Sequence, residues 1–181
     1  MVKKKFYNFL DLAIDVFYGI ILFNTFLAFP GININGAFMI FSVFVMINYW
    51  WSNRNYPELP KHYLFDFYMI TIIMFIFTQW TNYYFNIKGF LSILYLFYFI
   101  DGIYSLIAIP LHIEKRDEPS LKFFTKIDFI LGGIYLAYSF LLDSMNIFSL
   151  LIIVIPYLII LLIELKKGYF KTRFEKQDET Y

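Results

Sequence analysis

The sequence predicts an all-α, polytopic membrane protein with six transmembrane helices and both termini in the cytoplasm. Composition points there first: 60% of the 181 residues are hydrophobic and 24% aromatic, but only 16% are charged, where a soluble domain carries about a quarter. A soluble fold of this size could not enclose so much apolar surface. The second observation is a succession of six mainly apolar runs, each near the roughly 20 residues that a helix needs to cross a hydrocarbon core. The third is the one-sided placement of the basic residues between those runs.

The first run covers 8–29, preceded by Lys3, Lys4 and Lys5 and closed by Pro30 and Gly31. Its start resembles the charged region of a signal peptide, yet Asp11 and Asp15 interrupt the apolar stretch and no small-residue cleavage site follows, so it reads as a retained helix. The turn-forming stretch Phe29 to Gly36 leads to the second run, 36–52, which ends in Tyr49-Trp50-Trp51. Ser52 to Lys61, with Pro57 and Pro60, separates it from the third, 62–83. Asn86-Ile87-Lys88-Gly89 turns into the fourth, 89–110, and the charged stretch Glu114 to Ser120 leads to the fifth, 122–142. Asp143-Ser144-Met145-Asn146 opens the sixth, 146–165. Residues 1–165 thus form a transmembrane domain and 166–181 a charged cytoplasmic tail.

Orientation follows from charge. With the N-terminus inside, Lys3, Lys4, Lys5, Arg54, Lys61, Lys115, Arg116, Lys122, Lys126, Lys166, Lys167, Lys171, Arg173 and Lys176 all fall on the cytoplasmic side. Only Lys88 of the 15 basic residues is left outside, which is the bias that sets membrane topology. A missed or merged helix would scatter these charges over both faces. The expected location is a cell membrane.

The formal charge of +1 offers no attraction to nucleic acid. Without cysteine there is no thiolate nucleophile or thiolate metal site, and His62 and His112 lack ligand spacing. No phosphate loop or Ser-His arrangement is present, so neither an enzyme nor a cofactor or metal site is expected.

Carboxylates inside apolar runs are costly and therefore candidate functional groups. Asp11, Asp15, Asp66, Asp101 and Asp128 qualify. Asp11, Asp66 and Asp128 fall in the first turns of their expected helices, where a carboxylate offsets the unpaired amides and the positive dipole end. Asp15 and Asp101 lie deeper. Asp11 and Asp15 also share one helix face, and two carboxylates that close repel unless a cation, a proton or a base sits between them. Tyr49, Trp50, Trp51, Trp80, Tyr83 and Tyr84 stand at helix ends, as interfacial aromatic belts do. Gly132-Gly133 permits close helix approach, and Pro156 predicts a kink with freed carbonyls in the sixth helix.

Lys5, Phe9 and Asp11, in the order Lys-x-x-x-Phe-Leu-Asp, resemble the Arg-x-x-x-Phe-Ser-Asp opening of the transmembrane protein 175 family, lysosomal potassium channels and their shorter prokaryotic homologues. A second register places Asp15 at the motif aspartate, with Gly19 at the small residue and Pro30 ending the helix. Tyr49-Trp50-Trp51-Ser52-Asn53-Arg54 is similar to the aromatic and basic inner end of that family's second helix. The resemblance implies a homotetrameric, potassium-preferring channel with helix one lining the central pore and an apolar constriction. The stripe Val16, Ile20, Phe23 and Leu27 follows helical spacing and matches that constriction in either register. On this reading the inner acidic residues, Asp11, Asp15 and Asp101, concentrate the permeant cation. The rival expectation is a small-solute or proton-coupled transporter that uses Asp15 and Asp101 as relay groups, and a third is a membrane-embedded scaffold.

Overall fold

The computed structural model describes residues 2–54, 63–80, 82–83, 85–112 and 118–166. These form six helices, α1 (Val2–Leu27), α2 (Ile34–Arg54), α3 (Tyr63–Trp80), α4 (Ile87–His112), α5 (Glu118–Leu141) and α6 (Ile147–Lys166), with no strand among the described residues. The six helices match the six apolar runs. The helices α1 and α5 begin earlier, in polar sequence, at Val2 to Tyr7 and at Glu118 to Leu121, whereas α1, α3 and α5 end two, three and one residues short of their expected runs. Helix geometry is set by backbone hydrogen bonds and needs no apolar side chain to continue.

That extension corrects two expectations. Asp11 and Asp128 each lie in the third turn of their helices, so neither carboxylate is an end cap. Asp66 is in the first turn of α3, as expected, though its side chain lies outside the described residues.

Asparagines start the even-numbered helices. Asn33 Oδ1 accepts from the Gly36 amide at 3.0 Å, Asn86 Oδ1 from the amides of Lys88 and Gly89 at 3.1 and 3.2 Å, and Asn146 Oδ1 from the Ser149 amide at 2.9 Å. Each satisfies donors that a helix start otherwise leaves open. Gly31, at φ 89°, makes the turn before α2 in a conformation that other residues rarely adopt. The three turns lie at one end of the bundle, where Lys88 Nζ also meets Asp143 Oδ1 at 3.1 Å.

Contacts between neighbouring helices close a circuit: α1 packs on α3, α3 on α4, α4 on α5, α5 on α6, α6 on α2 and α2 back on α1. Aromatic rings from α2 and α4 reach across its interior, Phe38 to Phe90 and Tyr49 to Phe97, each pair with centroids 5.2 Å apart. Phe77 of α3 joins them, 5.7 Å from Tyr49 and 5.0 Å from Phe97. Such pairs contribute about 0.5–1.5 kcal/mol beyond the area they bury, which is how an aromatic-rich sequence makes a specific interior.

The most extensive interface is α4 with α5. Glycines bring these helices together: a Cβ on Gly102 would stand 3.3 Å from the Asp128 Cβ, and one on Gly132 would stand 3.1 Å from the Phe99 ring. Of the expected glycine pair, only Gly132 is at the contact. Gly133 faces open space.

Two stretches, Ile87–Ile107 and Lys122–Leu141, are long and apolar enough to cross a membrane. Large apolar side chains are exposed on every helix, among them Phe23 on α1, Phe44 on α2, Phe75 on α3, Ile103 on α4, Phe140 on α5 and Ile155 on α6.

Candidate functional site

Three aspartates with described side chains contact or face other helices. Asp15 is half-buried on α1 and accepts a hydrogen bond from the Trp50 indole Nε1 of α2 at 3.0 Å. An aromatic donor from the next helix thus pairs with it. Asp101 stands near the middle of α4, also half-buried, where its carboxyl interacts with the Tyr49 side chain of α2. Asp128 is buried on α5, against Gly102 of α4.

Tyrosines link the acids. Tyr18 lies on the α1 face that also carries Ile21 and Thr25, only 3% exposed, and its hydroxyl is within electrostatic reach of Asp101. Tyr98, 5% exposed, sits one turn before Asp101, and its hydroxyl feels both Asp101 and Asp128. Among the described residues the hydroxyls of Tyr18 and Tyr98 have no hydrogen-bond partner. An unmade hydrogen bond at a buried polar group costs about 1–3 kcal/mol, so two within electrostatic reach of one carboxylate call for a physical reason.

The polar interior continues from there toward α6. The Tyr98 and Tyr135 rings stack with centroids 5.6 Å apart, and the Tyr135 hydroxyl donates to the Ile153 carbonyl at 3.0 Å. That carbonyl is next to the one on Ile152, which Pro156 leaves without its usual amide donor. α6 runs on through Pro156. Asn48 Nδ2 donates to the Tyr157 hydroxyl at 2.7 Å, tying α2 to α6. The described basic side chains, Lys88, Lys122, Lys126 and Lys166, are all exposed.

Of the remaining expected residues, Val16, Ile20, Phe23 and Leu27 form one outward face of α1, 50% to 70% exposed. They are not brought together with Asp101. The side chains of Lys5, Phe9 and Asp11 lie outside the described residues, as do those of Trp51 and Tyr84 and the tail from 167 to 181. The aromatic belt is revised. Trp80 is fully buried, its indole donating to the Phe90 carbonyl at 3.3 Å, and Tyr49 is interior as well. Tyr83 packs its ring over Gly89.

The sequence reading passed over Tyr18 and Tyr98. A signal for them exists: each lies three positions from an aspartate, Asp15 to Tyr18 and Tyr98 to Asp101, which puts acid and phenol on one helix face. Among the described residues no three His, Asp or Glu side chains are grouped as a metal cluster. No protein-family model, no curated protein and no solved structure matches the chain. The site's chemistry thus rests on its own residues: an oxygen-rich, acidic interior beneath an apolar exterior.

Proposed function

We propose that the chain is a six-span membrane protein, both termini cytoplasmic, that moves a small cation across the bilayer. Support for the membrane setting comes from the apolar side chains exposed on all six helices, more apolar surface than water tolerates on a monomer. Helices of 18 to 26 residues suit a hydrocarbon core of about 30 Å at 1.5 Å per residue. The three asparagine-capped turns carry Lys88, the one basic residue expected outside, already paired with Asp143.

Asp101 carries the transport reading. A carboxylate near the middle of α4, a helix with a membrane-crossing stretch, and within electrostatic reach of tyrosine hydroxyls from three helices, is a feature that stability alone disfavours. It lies within one chain, which favours a carrier-like path through the single bundle and brings the transporter expectation ahead of the channel. The test is flux of radioactive sodium and rubidium, and of protons, into liposomes holding the purified chain. Flux with the wild type that falls with Asp101→Asn supports the reading, and flux equal to empty liposomes for all three ions overturns it.

A second reading draws on the outward face of α1. Val16, Ile20, Phe23 and Leu27 are available to a neighbouring copy, so a ring of chains could place the stripe at a central axis as a hydrophobic constriction. This is the potassium-channel arrangement, a homotetramer, that the resemblance to the transmembrane protein 175 family implies. It requires an oligomer, which mass measurement in detergent tests directly.

A further inference from the structure

We propose that Asp101, together with the hydroxyls of Tyr18, Tyr49 and Tyr98, forms a binding site for one dehydrated monovalent alkali cation inside the single chain. The inference deepens the cation-transport reading and rests on it for its setting. Its starting point is the pair of buried hydroxyls, on Tyr18 and Tyr98, that have no hydrogen-bond partner among the described residues and lie within reach of the same carboxylate. Tyr49 interacts with that carboxylate from α2, so α1, α2 and α4 each carry a tyrosine hydroxyl that acts on Asp101.

The ligand class follows from charge and atom type. All the candidate ligands are oxygens, the donors that hard cations prefer, and together they carry one carboxylate charge, which one monovalent ion neutralises. Asp128, across Gly102 on α5, acts on the Tyr98 hydroxyl and is not needed as a ligand. A proton explains the arrangement less well. Bound to Asp101, it makes one hydrogen bond to one oxygen, whereas an ion gathers several oxygens at once and replaces its hydration shell with them. The exposed basic side chains, Lys88, Lys122, Lys126 and Lys166, do not occupy the place.

The full-length chain, purified in detergent, tests this with radioactive sodium and radioactive rubidium as the two probes, rubidium standing for potassium. Saturable binding of at least one of them, about tenfold weaker in Asp101→Asn and several-fold weaker in Tyr98→Phe and Tyr18→Phe, is expected from the loss of ligands to a charge. Thermal melting supplies a second readout that does not depend on the Asp101 variant folding. The bound ion should raise the wild-type melting temperature, and Tyr98→Phe should lose that rise while melting no lower than wild type in cation-free buffer, because it removes a hydroxyl that is unpartnered without the ion. Equal binding by wild type and Asp101→Asn overturns the site, as does proton uptake with no saturable sodium or rubidium binding. If liposome flux persists without saturable binding, the site falls and the transport reading stands. Asp101-dependent binding with no flux of any cation has the opposite consequence.

Discussion

The indole nitrogen of Trp50 lies 3.0 Å from Oδ1 of Asp15, so the C-terminal end of α2 holds the acidic face of α1 through one directional bond. Hydrogen bonds to charged groups contribute about 1.5–3 kcal/mol, while those between membrane helices average about 0.6. Trp50→Phe is accordingly expected to destabilise the bundle by about 1 kcal/mol. A double-mutant cycle with Asp15→Ala, read by unfolding in mixed detergent, should give a coupling of similar size. A coupling of zero would mean that the bond contributes nothing to stability.

The α4–α5 contact should be sensitive to bulk at one glycine and indifferent at its neighbour. Gly132→Leu drives a side chain into the Phe99 ring and should cost about 1–3 kcal/mol or prevent assembly. Gly133→Leu meets open space and should melt with the wild type. Equal losses at both positions would contradict the described packing.

Membrane orientation can be read by single cysteines in this cysteine-free chain. Cysteine at Asn82 or Ser144 should react with an impermeant thiol reagent added outside intact cells. Cysteine at Arg54 or Lys115 should react only after the membrane is opened. Labelling of the Lys115 variant from outside would rule out the orientation with both termini cytoplasmic.

Two routes for the cation make opposite demands on one pair of variants. If it passes through the single bundle, Asp101→Asn should abolish liposome flux and Ile20→Asn leave it unchanged. If chains form a ring around α1, Ile20→Asn should hydrate the constriction and raise conductance or weaken selectivity. Changed flux in a well-assembled Ile20→Asn protein would therefore restore the ring as the leading arrangement.

Helix number and order were legible because each run must satisfy its own length and apolarity, and those are local properties of the chain. Helix starts were not: Lys3 to Lys5 and Glu118 to Ser120 are polar yet helical, so the apolar count began too late and misplaced Asp11 and Asp128 as caps. The site was legible in its acids and illegible in its partners. Asp15 and Asp101 announce themselves as charges in apolar surroundings, but pairing Asp15 with Trp50, 35 residues away, depends on how α2 packs on α1. Trp80 illustrates the same limit: an aromatic at a helix end suits an interface or an interior equally, and only the neighbouring Phe77 and Phe90 rings decide for the interior.

The asparagine-closed turns have a consequence for biogenesis. Each joins an odd-numbered helix to the next even one, so a chain emerging from the ribosome presents three successive hairpins whose tips are only a few residues long. For a bilayer, the work of insertion is dominated by whatever charge the tip must drag through the hydrocarbon. The first tip, from Ala28 to Asn33, bears no charge, and the only charged residues at or beside the other two are Lys88 and Asp143, one of each sign. On the proposed six-span arrangement, each hairpin would enter as a pair with almost nothing polar to carry but its own capped backbone, leaving the heavily charged connections on the side where synthesis occurs.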